Sequence, residues 1–524
     1  MMDDKNVTVD EGMNQESIAE KSIELPPQKP AAVQAVVRKE IPGRIREVGS
    51  QFEFFGLYSL IFGVVYSFCL FRNPGGITYP LFVAAGYGIA VLMLKKLGIP
   101  VKRLSWFIMG ISFLLGITSS LTASGLLLYF NRMALFLLAC VFVLHEFYED
   151  ETWNIGKYVS SVIVFLCYAV GCIGYPFQHM AAYFKGVKNK KCRNVLMVIT
   201  GAAIGIPVMV CLALLLSAAD MVFKEILTNL LDTFLNPWTV FTAILKAIVG
   251  ILLIYLFLCS ACMKNLKEEA ADRRTKEPLV AITGMGIIAA VYLLFCGIQI
   301  IYLFLGKGSL PEGVTYSDYA RQGFFQLLFV VFLNLVMVLC CIKYFKRSTG
   351  LNLVLTVICS CTYVMIASAV YRMLLYVGMY HLTFLRVLVL WFLALLAVLM
   401  VGVVLVIYRN TFPLFRYCLV MISVFYLGFA GMRPDRVIAE YNISHTDVLQ
   451  DNDFYYLFYN LSADAAPEIA GLDISPYVKE YYDTVEDAYR DYYRRAIKGY
   501  DGRRSFRTIN LSYEKARKLF DGKF

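Results

Sequence analysis

At 524 residues, with 59% hydrophobic and only 17% charged positions, the chain is too apolar for a string of soluble domains. Its net charge of +10 lies largely in short loops between apolar runs, a pattern of membrane topology that speaks against nucleic-acid binding. Fourteen cysteines sit nearly all in apolar runs and none follows Cys418; with only four scattered histidines, no metal-site spacing and no cofactor motif emerge.

In chain order, residues 1–48 are expected to be a disordered cytoplasmic tail. The first thirty are polar and acidic and close on Pro26, Pro27 and Pro30, and a basic juxtamembrane end follows at Arg38, Lys39, Arg44 and Arg46. This is not a signal peptide, since no apolar run precedes Phe52.

Residues 49–432 read as a polytopic helical membrane domain. The stretches 51–71, 79–97, 104–121, 124–146, 158–180, 195–217, 239–261, 280–304, 322–343, 351–375, 386–408 and 413–431 approach the roughly 20 apolar residues a crossing needs. The fold class is therefore an all-α integral membrane protein with about 11–12 transmembrane helices. Basic loops face the cytoplasm by the positive-inside rule. Lys95, Lys96, Lys102 and Arg103 mark one such loop, and Lys185, Lys188, Lys190, Lys191 and Arg193 the strongest. Lys264, Lys267, Arg273, Arg274 and Lys276 follow, then Lys343, Lys346 and Arg347, then Arg409 and Arg416.

From residue 183 onward these loops alternate and place the C-terminus outside, with the N-terminus inside. Twelve full crossings would return the C-terminus to the cytoplasm. The run 158–180 contains Gly171, Gly174 and Pro176 beside the strongest basic loop, so it is expected to be re-entrant or to lie along the interface. The alternative is a normal span with one loop that breaks the charge rule.

Residues 433–524 lose the apolar runs and carry 14 Lys/Arg against 16 Asp/Glu, close to neutral. They read as a small all-helical C-terminal domain, extracytoplasmic on the topology above. Ser475-Pro476 has the form of an N-cap and first-turn proline. Tyr477, Tyr481, Val485, Ala488 and Tyr492 then recur at helical spacing up to Gly499. Shorter helices are expected at 451–461, 463–471 and 512–520. Twelve tyrosines fall here, and the reading favoured for them is the core and rim of a small domain rather than a binding face.

Five separated strings occur together: YARQGFF at 319–325, RMLLYVGMYHLTFLR at 372–386, PDRVIAEYNI at 434–443, LSADAAP at 461–467 and SFRTINLS at 505–512. In this order the set resembles domain-of-unknown-function family 4173 and its relative 4153, over about residues 50–520. The resemblance implies a bacterial, Gram-positive, multi-pass inner-membrane protein. It implies no particular reaction.

Charges and polar groups inside spans are costly and mark functional hypotheses. Arg132, Lys246, Gln299 and Asn334 are the notable ones, with Asn131 beside Arg132. Lys246 lies well inside its span, either paired within the bundle or snorkelling outward past Trp238. At the outer ends, Asp318, Arg321, Arg372, Tyr376 and Arg386 are a candidate anion-binding mouth, because planar guanidinium suits phosphate or carboxylate. Arg321, Arg372 and Arg386 are expected to converge, with Asp318 neutralising one of them. A salt-bridge clamp between spans is the competing reading.

Enzyme signals are poor: no HExxH, GxSxG or GxxxxGK[ST] occurs. The pair His145-Glu146 fits a membrane transferase only weakly. The favoured function is a transporter or a permease handling lipid or envelope precursors, whose partners are the bilayer and an anionic lipid or cell-wall precursor. The alternative is a membrane sensor or envelope scaffold with a partner-binding outer domain. A polar tunnel favours transport and a solid apolar bundle favours a scaffold.

Overall fold

The computed structural model describes residues 43–186 apart from 152, scattered residues from 201 to 223, and 237–263, 274–301, 316–445 apart from 410, 451–475, 482–502 and 504–521. Side chains at 237, 316–323 and 451 are not described, and the expected span 195–217 lies largely outside these residues.

Among the described residues, ten helices are long and apolar enough to cross a membrane. They are α2 (Phe52–Leu70), α3 (Thr78–Lys96), α4 (Arg103–Leu121), α5 (Gly125–Phe147), α8 (Pro237–Cys262), α9 (Pro278–Gln299), α10 (Tyr316–Tyr344), α11 (Thr349–Tyr380), α12 (Phe384–Tyr408) and α13 (Leu414–Met432). Before them comes α1 (Gly43–Ser50), and between α5 and α8 lie α6 (Ile155–Gly171) and α7 (Tyr175–Gly186). The described residues contain no β-strand, only an isolated bridge between Lys276 and Phe345. The chain is an all-α, multi-pass integral membrane protein.

Local chemistry sets the helix ends. Asn154 caps α6 by accepting from the Lys157 amide, Ser348 caps α11 through the Leu351 amide, and Pro278 opens α9. Arg433 adopts a left-handed conformation between α13 and α14 (Pro434–Ser444), turning the chain out of the last span. The first turns of the fold differ from expectation: residues 43–48 are helical, with Ile45 and Val48 fully buried, because this short amphipathic helix packs on α7 and α8.

The alternation of helices gathers Lys95, Lys96, Lys102, Arg274, Lys276, Lys346, Arg347, Arg409 and Arg416 at one end, here termed the basic end. The turns 71–77, 122–124 and 381–383 and the region after Arg433 share the other, capped end. The run read as 158–180 is broken: α6 and α7 meet at 44°. Its contacts keep to the basic end. Tyr158 stacks on Phe415 at the start of α13 with ring centroids 3.5 Å apart. Phe165 O accepts from Ser260 near the end of α8, and His179 meets Tyr255 and Gly49. These partners lie in α1, at the start of α13 and within the last two turns of α8.

The α2–α8 contact depends on small residues. A Cβ on Gly63 would sit 2.5 Å from Ala247 O, and one on Gly250 would sit 3.0 Å from Gly63 Cα. Such close backbone approach is how membrane helices gain packing energy without a hydrophobic drive between them.

Beyond Arg433 the chain is helical and short-segmented. α14 is followed by Asp451–Tyr455 running into a π turn to Asn460, then by Ala466–Gly471, α15 (Val485–Ala496) and α16 (Leu511–Phe520). One long helix opened by Ser475-Pro476 does not form. α15 starts at Val485 because Thr484 caps it through the Asp487 amide, and Gly499 falls inside a separate turn of helix, Lys498–Asp501. Residues 476–481 lie outside the described ones. Phe454, Phe458, Tyr489, Tyr492 and Phe520 form the core of this cap, whereas Tyr455 and Tyr459 remain exposed.

Candidate functional site

An apolar chamber of about 370 Å³ opens between α2, α3, α5 and α8. Its walls are Phe62, Tyr66 and Leu70 of α2, Val83 and Met93 of α3, Leu135, Phe142 and Phe147 of α5, and Ile254, Phe257 and Leu258 of α8. Among the described residues only two ionic side chains line it, both on α5: Arg132 towards the capped end and Glu146 towards the basic end. At 1.5 Å rise per residue they are about 21 Å apart along the helix, more than half of a hydrocarbon core about 30 Å thick.

The capped mouth collects cations around the turn after α2. Arg132 donates from Nε to the Tyr79 hydroxyl at 3.1 Å and from a terminal nitrogen to Pro74 O at 2.6 Å. Lys246 Nζ donates to Leu70 O at 3.0 Å and lies 5.5 Å from the Phe71 ring centroid. Lys246 therefore reaches a carbonyl at the C-terminal end of α2, where the helix dipole favours a cation. No ion pair joins either cation to a carboxylate among the described residues.

The basic mouth is acidic and crowded. Glu146 Oε1 accepts from the Lys102 amide at 3.1 Å and from the Ser105 hydroxyl. Its Oε2 is buried without a hydrogen-bond partner. Next to it, His145 Nδ1 meets Asp150 at 2.7 Å, the Tyr158 hydroxyl also donates to Asp150, and Arg416 stands 3.8 Å from the same carboxylate. His145 Nε2 is buried and unpartnered too. Sequence reasoning saw the adjacent His145-Glu146 pair but had no means of knowing that an apolar chamber ends on it.

The other polar residues inside spans act as ties. Asn334 accepts from the Tyr292 hydroxyl at 2.7 Å and donates to Thr362 at 3.0 Å, joining α9, α10 and α11. Gln299 Oε1 accepts from Ser368 at 2.7 Å and from Arg372 at 3.2 Å. Asn131 receives the Tyr426 hydroxyl at 2.7 Å and donates to Ser119 at 3.0 Å. Interhelical bonds of this kind contribute about 0.6 kcal/mol on average in a membrane bundle.

The expected outer mouth is described in part. Arg372 is buried against Gln299, whereas Arg386 turns its guanidinium over the Tyr376 ring, 4.2 Å from the centroid, and donates to the carbonyls of Tyr380 and His381. Arg386, Tyr376, Phe324 and Thr383 line a second cavity of about 370 Å³. The side chains of Asp318 and Arg321 lie outside the described residues.

The capped end is closed by a buried polar weld that draws three of the sequence strings together. Asp464 of LSADAAP accepts from Thr122 Oγ1 at 2.5 Å, from the Ala123 amide at 2.7 Å and from the Ser512 hydroxyl. Asn510 of SFRTINLS donates to Gly75 O at 2.6 Å and Thr122 O at 2.9 Å. Asn73 accepts from the Gly76 amide at 2.6 Å and donates to Arg507 O at 3.2 Å, while Ile77 N donates to Ile509 O at 2.8 Å. A Cβ on Gly76 would lie 2.5 Å from Arg507 O, so the loop RNPGGIT needs glycine there for the C-terminal segment to approach. Asp435 of PDRVIAEYNI accepts from the Ser462 amide at 3.2 Å. Burial pushes its carboxyl above the ordinary range, the Ser462 contacts oppose this, and nearby Asp464 adds to it.

No curated protein and no solved structure matches this chain. A family model described as "Domain of unknown function (DUF4153)" matches residues 109–472, from α4 to the end of the Ala466–Gly471 helix; a relation to family 4173 is not among the matches. The match spans most of the bundle and the first part of the cap, including Asp464: the chain belongs to the DUF4153 family.

Proposed function

We propose that this integral membrane protein handles anionic amphiphiles, lipids or lipid-linked envelope precursors. The apolar chamber takes the chain, and Arg132 and Lys246 take the charged head. The observation that carries this reading is an apolar cavity between four helices with Arg132 on its wall and Lys246 bonded to the carbonyl of the lining residue Leu70. A polar solute would find almost no partners along such a wall, whereas an acyl or prenyl chain loses nothing on leaving the bilayer for it. The concentration of Lys and Arg at the opposite end supports a cytoplasmic basic end and an outside cap. Arg386 and its cavity would then lie on the outer side as a second contact for headgroups.

The test uses purified protein in nanodiscs containing a phosphatidylglycerol with a photoreactive acyl chain. Adducts are expected on α5 and α8 peptides that line the chamber. Arg132→Ala combined with Lys246→Ala should reduce them about threefold to tenfold, as exposed charge-assisted contacts are screened. Adducts spread evenly over the outer faces of the helices, unchanged in the double variant, would refute the reading.

A scaffold or sensor role is favoured by one feature of the cap. Tyr455 and Tyr459 stack with centroids 4.5 Å apart, both exposed, and the Arg495 guanidinium lies 3.7 Å from the Tyr459 ring. Such a platform suits a sugar or peptide ligand.

A further inference from the structure

The cap carries two aromatic stacks on one short stretch of chain. Phe454 and Phe458 lie with ring centroids 4.4 Å apart and are buried in its core. Tyr455 and Tyr459, one position on, lie 4.5 Å apart with planes within 10° and stay 56% and 41% exposed. The turn Tyr456–Asn460 that joins them is π-helical, a rare geometry that recurs at functional sites. The buried phenylalanine pair anchors this turn, and Arg495 of α15 anchors the tyrosine pair. Its guanidinium lies 3.7 Å from the Tyr459 centroid and donates to Phe458 O at 2.7 Å. The platform is thus set before any ligand arrives, which removes an ordering cost.

The polar rim beside it is one directed chain. The Tyr482 hydroxyl donates to Asp491 Oδ2 at 3.0 Å, so at the 2.7 Å contact between the two hydroxyls it is Tyr459 that donates to Tyr482. Arg495 also meets Asp491 at Oδ2, from Nε at 3.2 Å and from a terminal nitrogen at 3.1 Å. Tyr459 Oη therefore keeps lone pairs and has no proton to give, and Asp491 Oδ1 is unclaimed among the described residues. The Arg495–Asp491 pair cancels its own charge.

From this geometry we propose that Tyr455, Tyr459 and Asp491 form a saccharide-binding site, taking a neutral pyranose of gluco configuration with its C–H face on the exposed tyrosine pair. The inference rests on the scaffold or sensor reading of the cap and narrows it to one ligand class; the chamber plays no part in it. A β-linked pyranose of this configuration has every hydroxyl equatorial, so both faces of its ring show only C–H bonds. Those polarised hydrogens suit the negative face of an aromatic ring. Its hydroxyls supply the donors that Tyr459 Oη and Asp491 Oδ1 can accept. An anionic ligand would meet acceptors here, because Arg495 turns its donors to Asp491 and Phe458 O. A proline-rich peptide has few amide hydrogens and would leave the same acceptors unpaired.

The test is saturation-transfer difference NMR on the full chain in nanodiscs, free of sugar-headed detergent. Two saccharide probes are used, the β-1,4-linked tetrasaccharides of glucose and of N-acetylglucosamine, with a proline-rich decapeptide as the third ligand. Saturation should reach the ring C–H protons of at least one tetrasaccharide. Tyr455→Ala should weaken that binding about threefold to tenfold, on the order of one aromatic contact, whereas Tyr455→Phe should retain it. Asp491→Asn keeps an oxygen for Arg495 and Tyr482 and turns its NH₂ to the ligand, so it should weaken binding over a similar range. Tetrasaccharide binding that is equal in wild type and Tyr455→Ala places the sugar elsewhere and overturns the site. Silent tetrasaccharides with a decapeptide that binds wild type and not Tyr455→Ala overturn the saccharide assignment and leave the sensor reading standing. Silence from all three ligands overturns that reading of the platform as well.

Discussion

Replacing Asp464 by Ala should release the cap from the bundle. The carboxylate is 2% exposed and satisfies three donors: Thr122 Oγ1 at 2.5 Å, the Ala123 amide at 2.7 Å and the Ser512 hydroxyl. Each buried donor left without an acceptor costs about 1–3 kcal/mol. Two of the three are hydroxyls that can rotate to other acceptors, so the net loss is about 3–5 kcal/mol rather than the full sum. At the lower figure the population with the cap undocked rises roughly hundredfold, and amide exchange limited by that opening accelerates in proportion. Hydrogen-exchange mass spectrometry on peptides from 505 to 520 reads this directly, and the α9–α11 peptides serve as an internal control. Asp464→Asn keeps one acceptor oxygen but turns an NH₂ towards hydroxyl partners, so roughly half the effect is expected. Exchange in the 505–520 peptides accelerated by less than about threefold in Asp464→Ala would show that Asp464 is not what holds the cap, and the reasoning from buried donors would fail.

Three other outcomes follow from the same geometry. Gly63→Leu should separate α2 from α8 and destabilise the bundle by about 1–3 kcal/mol in an SDS titration, since the added atoms meet Ala247 O and the backbone of Ile251; an unchanged midpoint would show that the two helices do not rely on close approach. Asp435 is buried with its carboxyl raised, so the folded state holds that proton more tightly than the unfolded chain. Wild-type stability from this group is then fully present below the ordinary carboxyl range and lost as pH rises through the raised value. Asp435→Asn, which keeps an oxygen for the Ser462 amide, should gain on wild type between pH 4 and pH 7 in thermal melts, and parallel melting profiles would count against the assignment. A reporter active only in the cytoplasm should be silent when fused after Phe524 and active when fused ahead of Gly43; the opposite result would invert the orientation drawn from the basic end.

Much of the bundle is legible in the residues themselves, because a bilayer imposes length and polarity on every crossing. Phe52–Leu70 or Phe384–Tyr408 declares itself as a span without any neighbour. The charge of short loops also orders the ends, and Gly171, Gly174 and Pro176 give away the break between α6 and α7, since these residues interrupt the backbone bonding of a helix. Short-range pattern served less well in the cap. Ser475-Pro476 has the form of the start of one helix running to Gly499, yet residues 482–484 are not helical and α15 begins at Val485 under Thr484, where a local side-chain bond to the Asp487 amide is made.

The individual polar residues were visible as a set and illegible as roles. Arg132, Lys246, Gln299 and Asn334 stand out by the cost of burying them, but that cost is the same whether a residue ties helices or faces a ligand. Only packing separated Asn334, closed between Tyr292 and Thr362, from Arg132, which borders an apolar chamber. The surroundings of Glu146 and Asp464 were beyond reach of the sequence for the same reason. One is defined by a buried oxygen without a hydrogen-bond partner, and the other by donors more than 300 positions away in Thr122 and Ala123. By itself the sequence determined that this chain lives in a membrane, which of its segments are long and apolar enough to cross, and which loops share an end, since lipid tests each segment separately. Which side chains meet was decided by the tertiary structure alone, because a cavity or a buried hydrogen bond belongs to several helices at once.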